Sequence, residues 1–241
     1  MVYIISEISN QWGGSMNVAE QMILQSKMGG ADAVKVQLFG NDWKPERCNP
    51  DSGKDYLSFT YDEAVSLRAY ADMLRIDFFA SPFDEERLEW CKELKLPFIK
   101  IGNGVYKKFP GLVKKAINSG LKVVISLDRE EIGAGCLFQN ERITYLYTER
   151  KYPANLEDID MPDFSQSFVS GYSDHTFGLS ACFYALSRGA GMIEKHFTIS
   201  KSWQKISESA HFGSMDFDEL RTLKSFSRDI NILRNRKTLS F

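Results

Sequence analysis

Short runs of apolar and β-branched residues recur along the 241-residue chain, and helix-like stretches separate them. Val2–Ser6, Ala31–Phe39, Ile76–Ala80, Phe98–Gly102, Leu121–Ser126, Arg142–Tyr147, Phe168–Tyr172 and Gly191–Lys195 read as strands. Met16–Met28, Tyr61–Leu74, Asp84–Leu94, Lys107–Ser119, Phe177–Leu186 and Phe217 to about Leu233 read as helices. Gly29-Gly30 stops the first helix, and Thr60 with Glu63 forms a capping box at the start of the second. Strands that alternate with helices must run parallel, because a helix carries the chain back to the same edge of the sheet. Eight such units fit a closed (β/α)8 TIM barrel better than an open doubly wound sheet. Asp128–Asn140 holds too many helix breakers for a full helix, so the fifth unit is expected to be shortened, and Tyr152–Ser165 reads mostly as loop. Gly40–Phe59, rich in Pro, Asn, Asp and Gly, reads as a long loop of the kind that is usually functional or disordered. No internal repeat or linker divides the chain, and 1–241 is expected to be one barrel domain.

The composition excludes several classes of function. A net charge of −2 leaves no electrostatic footprint for nucleic acid or an anionic membrane. Cys48, Cys91, Cys136 and Cys182 are scattered without a C-x-x-C pair, as free thiols in a reducing compartment would be. No leader-like segment opens the chain and no apolar run approaches about 18 residues, so a soluble, cytoplasmic protein is expected.

Alternation along each strand groups the polar residues onto one face. Glu7 has the parity of Tyr3 and Ile5; Lys35 and Gln37 share a face with Ala33; Lys100 lies between Phe98 and Gly102. Ser126 aligns with Val124, Ser173 with His175, and Glu194 with His196. A barrel interior built for stability alone would hold Val, Ile and Leu at such places. His175 and His196 each follow a strand of one strand–helix–strand unit, so both imidazoles are expected at the carboxyl edge of neighbouring strands, where α/β folds bind ligands. Inward lysines are costly unless they are paired or meet an anion, which leaves two readings of Lys35 and Lys100: anchors for an anionic ligand, or internal salt bridges to Glu7 and Glu194.

G-Y-S-D-H-T at Gly171–Thr176, followed by G-A-x-x-I-E-K-H-F-T at Gly189–Thr198, resembles the sialic acid synthase family. The likeness extends in order through E-I-S-N-Q-W-G-G-S at Glu7–Ser15, G-A-D-A-V-K-V-Q at Gly30–Gln37, F-F-A-S-P-F-D at Phe78–Asp84, F-I-K-I-G-N-G at Phe98–Gly104, V-V-I-S at Val123–Ser126 and Tyr152-Pro153. The resemblance implies condensation of phosphoenolpyruvate (PEP) with an N-acylated amino sugar, giving a nonulosonic acid and phosphate. It implies a PEP site of Lys35, Ser81, Lys100, Ser126 and Ser173, and an acceptor site touching Glu7, Gln37, Asp55, Tyr56 and Tyr152. His175 and His196 would hold a divalent metal, Mn2+ first and Mg2+ or Co2+ as alternatives. Glu7 and Gln37 would be the catalytic pair, with Glu7 moving protons.

Several positions depart from the family pattern. Gln11-Trp12 stands where an Asn-His pair is usual, Asn103 where a Ser is common, and Leu127-Asp128 where Thr-Gly usually follows the fifth strand. Ala210-His211 keeps the His and loses the Asp of the tract after the eighth strand. The family usually continues into an antifreeze-like domain that covers the site of a partner subunit, and none is expected within 1–241. A homodimer, a lid made by Gly40–Phe59 with Trp43, Asp55, Tyr56 and Phe59, or a separate lid-supplying protein are the resulting expectations. Another PEP-dependent 3-deoxy-sugar-acid synthase, or a degenerate barrel that binds a ligand or partner without turnover, are the alternatives.

Overall fold

The computed structural model describes residues 1–41, 57–135, 138–203 and 212–234. Eight parallel strands close in sequence order into a barrel: β1 (Tyr3–Glu7), β2 (Ala33–Leu38), β3 (Asp77–Pro82), β4 (Phe98–Ile101), β5 (Lys122–Leu127), β6 (Ile143–Thr148), β7 (Val169–Asp174) and β8 (Met192–His196). Outside it lie α1 (Met16–Gly29), α2 (Tyr61–Leu74), α3 (Glu85–Glu93), α4 (Asn103–Lys108), α5 (Pro110–Asn118), α6 (Arg129–Gly133), α7 (Ser180–Ser187) and α8 (Phe217–Arg234). The capping box of Thr60 and Glu63 forms at α2 as the sequence predicts, and Asp84 caps α3 from outside rather than opening it. None of these helices is long and apolar enough to cross a membrane.

Two expectations are corrected. The single helix predicted over Lys107–Ser119 is two, because Pro110 occupies the first turn of α5 and pushes Phe109 out of helical geometry, to φ −128° and ψ 63°. The helix predicted from Phe177 starts only at Ser180, since Gly178 takes a left-handed φ of 65° in the preceding turn. The fifth unit is short, as the breakers predict: α6 has only 5 residues.

The barrel interior is layered by strand parity. Ile5, Ala33 and Phe79 are fully buried at its floor, with Tyr3, Phe98 and Met192 packed around them. This plug is separate from the larger apolar shell between strands and helices, to which Ile4, Val34, Val36, Phe78, Ile99 and Ile101 belong. One step toward the carboxyl end, the same inward faces turn polar. The register sets Glu7 beside Lys35 and His196, Gln37 beside Ser81, and Ser173 beside Glu194. Gly171 lets β7 and β8 meet closely there, because a Cβ on it would lie 2.4 Å from the Met192 carbonyl oxygen.

Candidate active site

Above the apolar floor lies a buried ionic layer. Lys35 Nζ pairs with Glu7 Oε2, lies 3.3 Å from Glu194 Oε1 and donates to Ser81 Oγ at 3.2 Å. Lys100 Nζ donates to both oxygens of Glu194, at 3.0 and 2.8 Å, and Ser173 Oγ donates to Oε1 at 3.2 Å. All four charged residues are at most 5 % exposed. The salt-bridge reading of the two lysines is therefore met in this structure, and it does not displace the other: paired lysines at the floor of a cavity can exchange a carboxylate partner for a ligand oxygen.

The environment sets the charge states. Burial would raise the Glu194 carboxyl, but Lys100 and Lys35 outweigh it and hold the group at about 2. Burial pulls Lys100 down to about 8 against the opposing charge of Glu194, so it stays mostly protonated at neutral pH. Lys35, with Glu194 and Glu7 on either side, is held above its ordinary value despite its burial. Glu7 is raised, because desolvation exceeds the help it gets from Lys35 and from the Ser9 N–H that donates to its Oε1 at 2.7 Å. A raised carboxyl deep in a polar cavity suits a group that takes up and returns a proton.

The carboxyl end of the barrel opens into a cavity of about 410 Å³. Of the residues singled out in the sequence, Lys35, Gln37, Ser81, Lys100, Ser126, Tyr152, Ser173, His175, Glu194 and His196 all line it. Glu7 sits directly beneath, paired to Lys35. Asp55 and Tyr56 lie outside the described residues, as do Trp43 and His211. Ser126 is 2 % exposed, and its hydroxyl meets no hydrogen-bonding partner among the described residues.

The two histidine rings have centroids 6.1 Å apart, a span that two imidazoles sharing one ion can bridge with metal–nitrogen bonds of about 2.1 Å. His175 Nδ1–H donates to the Glu149 carbonyl at 2.6 Å, which fixes the tautomer and leaves the Nε2 lone pair as the one that could meet an ion. Burial lowers this imidazole to about 4, so it is neutral at physiological pH, as a metal ligand must be. Tyr152 lies over His175 with ring centroids 3.8 Å apart. No group of three or more His, Cys, Asp or Glu suited to an ion occurs among the described residues. Behind the histidines, Lys195 Nζ pairs with Asp174 Oδ2 at 2.5 Å, both fully buried, and donates to the Thr176 carbonyl at 2.7 Å. This ties the residues flanking His175 to the residue before His196.

Sequence reasoning missed the mouth of the cavity. Lys107 donates to Asp128 Oδ2 at 2.8 Å and Arg150 Nε lies 3.2 Å from the same oxygen, while Asn103 Nδ2 donates to Glu131. Burial would raise Asp128, but Lys107 and Arg150 hold it below the usual carboxylate range. Asn103 and Asp128 are two of the departures from the family pattern, and the structure joins them in one cluster through the capping box of Asp128 and Glu131. That capping box, Asp128-x-x-Glu131, was the available signal.

A NeuB family model matches residues 22–238. The chain belongs to the NeuB family. An N-acetylneuraminate-9-phosphate synthase of Drosophila melanogaster is 33 % identical over 254 residues, covering 92 % of this chain and 66 % of its own length. An N,N'-diacetyllegionaminic acid synthase of Legionella pneumophila is 28 % identical over 258 residues, covering 94 % and 71 %. This NeuB-family chain thus spans about two thirds of the length of the curated relatives it matches. Among solved structures, an N-acetylneuraminic acid synthetase of Leptospira borgpetersenii, in complex with citrate, superposes with a TM-score of 0.85 at 26 % identity, covering 100 % of this chain and 87 % of that one. A 3-deoxy-D-arabino-heptulosonate 7-phosphate synthase of Thermotoga maritima superposes at 0.64 with 14 % identity and shares the fold.

Proposed function

We propose that this chain condenses PEP with an N-acylated amino sugar, forming a carbon–carbon bond and releasing phosphate to give a nonulosonic acid. The observation that carries this reading is the convergence of Lys35, Lys100, three serine hydroxyls and two histidines on one cavity in a NeuB-family barrel. Lys35 and Lys100 with Ser81, Ser126 and Ser173 offer charge-assisted and neutral hydrogen bonds to the carboxylate and phosphate of PEP. The serines add donors without adding charge, which matters because Glu7 and Glu194 already balance the two lysines. Gln37 and Tyr152 line the wall available to the acceptor.

His175 and His196 fit a divalent ion of the Mn2+ type, with Mg2+ and Co2+ as alternatives. Such an ion, when bound, supplies Lewis-acid polarisation of the aldehyde oxygen and activation of water. In the reaction, C3 of PEP attacks the aldehyde carbon of the open-chain sugar, and the former carbonyl oxygen takes a proton to become a hydroxyl. Water adds at C2, losing a proton, and the C2–O bond to phosphate breaks. Glu7, with its raised carboxyl, is the group placed to carry protons between these steps.

Phosphate release from PEP, measured with a panel of N-acylated hexosamines with and without Mn2+, tests the reading. Release that requires one acylated sugar supports it. PEP turnover that ignores the acceptor, or no turnover with any of them, sinks it in favour of another PEP-using barrel or a binding protein.

A further inference from the structure

On the strand ends that carry the two histidines, alternation sends every second residue away from the cavity. Ser173 and His175 at the end of β7, and Glu194 and His196 at the end of β8, line the cavity. Asp174 and Lys195 therefore point the other way, to the side that Tyr172 and Ile193 share in the apolar shell between strands and helices. The register sets these two charged residues directly opposite one another. Both side chains are 0 % exposed, and Lys195 Nζ lies 2.5 Å from Asp174 Oδ2.

The pair is anchored at several points. Asp174 Oδ1 accepts from the Tyr172 hydroxyl and from the Thr176 N–H, both at 2.8 Å, while Oδ2 accepts from Lys195 and, at 3.1 Å, from the Cys182 thiol on α7. Lys195 Nζ also donates to the Thr176 carbonyl at 2.7 Å. Asp174 and Thr176 are the two chain neighbours of His175, and Lys195 precedes His196. One ion pair thus braces the backbone on both sides of the first imidazole and immediately before the second. The ends of the brace are tied in turn: the Ala154 N–H donates to the His175 carbonyl at 3.0 Å, and the Phe197 N–H to the Glu7 carbonyl at 2.8 Å.

Stability alone does not account for charges at this place. Desolvation offsets the Coulombic gain of a buried ion pair, and apolar side chains of similar volume often serve as well or better. What a pair anchored in this way does supply is one fixed spacing between the two chains that hold it. We infer that Asp174 and Lys195 are positioning residues, which keep His175 and His196, with ring centroids 6.1 Å apart, at the separation that a single divalent ion needs. The inference deepens the reading proposed above and rests on its assignment of a metal to these histidines.

The test is the double variant Asp174→Asn with Lys195→Met, which replaces both charges by neutral groups of similar volume so that neither is left buried alone. Mn2+ affinity is measured by EPR titration of protein stripped with a chelator, Co2+ loading is followed by its d–d absorption, and melting temperature is read on the stripped protein. Leu67→Ala, a cavity in the buried face of α2, is the reference for a weakened core away from the histidines. The expected double variant melts no lower than Leu67→Ala, binds Mn2+ with a Kd raised roughly ten- to a hundredfold, as when outer partners of metal-binding histidines are lost, and gives an altered Co2+ spectrum. Leu67→Ala should keep the native affinity and spectrum. Tyr172→Phe, which takes one donor from Asp174 and keeps the ring, should raise the Kd by a smaller factor, and it decides the question if the double variant does not fold. A native Kd and Co2+ spectrum in the double variant, or an equal loss of affinity in Leu67→Ala, overturns the inference; with an unfolded double variant, a native Kd in Tyr172→Phe does the same. A native protein that binds neither ion overturns the metal assignment, and this role with it.

Discussion

Lys100→Met isolates the ionic layer. In the native structure the Lys100 ammonium grips both oxygens of Glu194 and is 2 % exposed, so its removal leaves a buried carboxylate with one remaining cation. Breaking a buried pair from one side costs about 3–5 kcal/mol. Lys35 at 3.3 Å and the Ser173 hydroxyl at 3.2 Å still serve Glu194, which places the cost near the lower end, roughly 3 kcal/mol. For a chain of this size that corresponds to a fall in melting temperature of about 6–12 °C. Glu194→Gln added to Lys100→Met removes the orphaned charge and should return stability to within about 1 kcal/mol of the native protein. Acid should narrow the gap between the native protein and the single variant. Glu194 is held at about 2 in the folded chain against an ordinary 4.5, so its contribution is complete above roughly pH 5 and is lost as pH falls toward the folded value. In the variant the carboxyl protonates earlier, and its penalty fades. PEP affinity should fall by about one to two decades in both variants, since each loses a charge-assisted contact worth roughly 1.5–3 kcal/mol. Thermal melts from pH 4 to 8 with and without PEP measure all of this. A single variant that melts with the native protein at pH 7, or a double variant as unstable as the single, would refute the reasoning.

The remaining perturbations probe the histidines and the strand contact beneath them. His175→Ala and His196→Ala should each abolish Mn2+ retention while leaving the fold intact, as ligands at a barrel's carboxyl face serve function more than stability; elemental analysis after chelation and reloading reads this, and undiminished metal in both would end the metal assignment. Gly171→Ala forces a methyl to within 2.4 Å of the Met192 carbonyl oxygen and 2.7 Å of Leu146, so β7 and β8 must part. It should cost at least about 2 kcal/mol and weaken Mn2+ binding as well; a variant with native melting temperature would show that the strands give way freely.

The barrel and the inward polar set were legible because a period of two, read strand by strand, needs only local information, and the observed registers preserve it at Glu7, Lys35, Lys100, Ser173 and Glu194. What escaped was set by partners distant in sequence or by backbone geometry. Pro110 marks a helix break plainly enough, yet the periodicity of Lys107–Ser119 overrode it. The cavity mouth escaped because Lys107 on α4, Asp128 at the cap of α6 and Arg150 after β6 come from three segments beyond the strands, which parity does not address. Asn10 also reaches the cavity, from a backbone at a left-handed φ of 68° that comparison by residue type does not reveal. The loop expected to cover the site, Gly40–Phe59, ends in a Phe59 that is buried against Trp12 and therefore serves the core rather than a lid; Asp55 and Tyr56 lie outside the described residues.

In the reaction proposed for this chain, water attacks carbon, not phosphorus. The most direct measurement is turnover of PEP and an N-acylated amino sugar in 18O-enriched water, followed by 31P NMR of the phosphate released. C–O cleavage sends the solvent oxygen to C2 of the sugar acid and leaves phosphate with its original oxygens, so the phosphorus resonance should carry no 18O isotope shift. Phosphate bearing one solvent 18O would mean hydrolysis at phosphorus and would contradict the account.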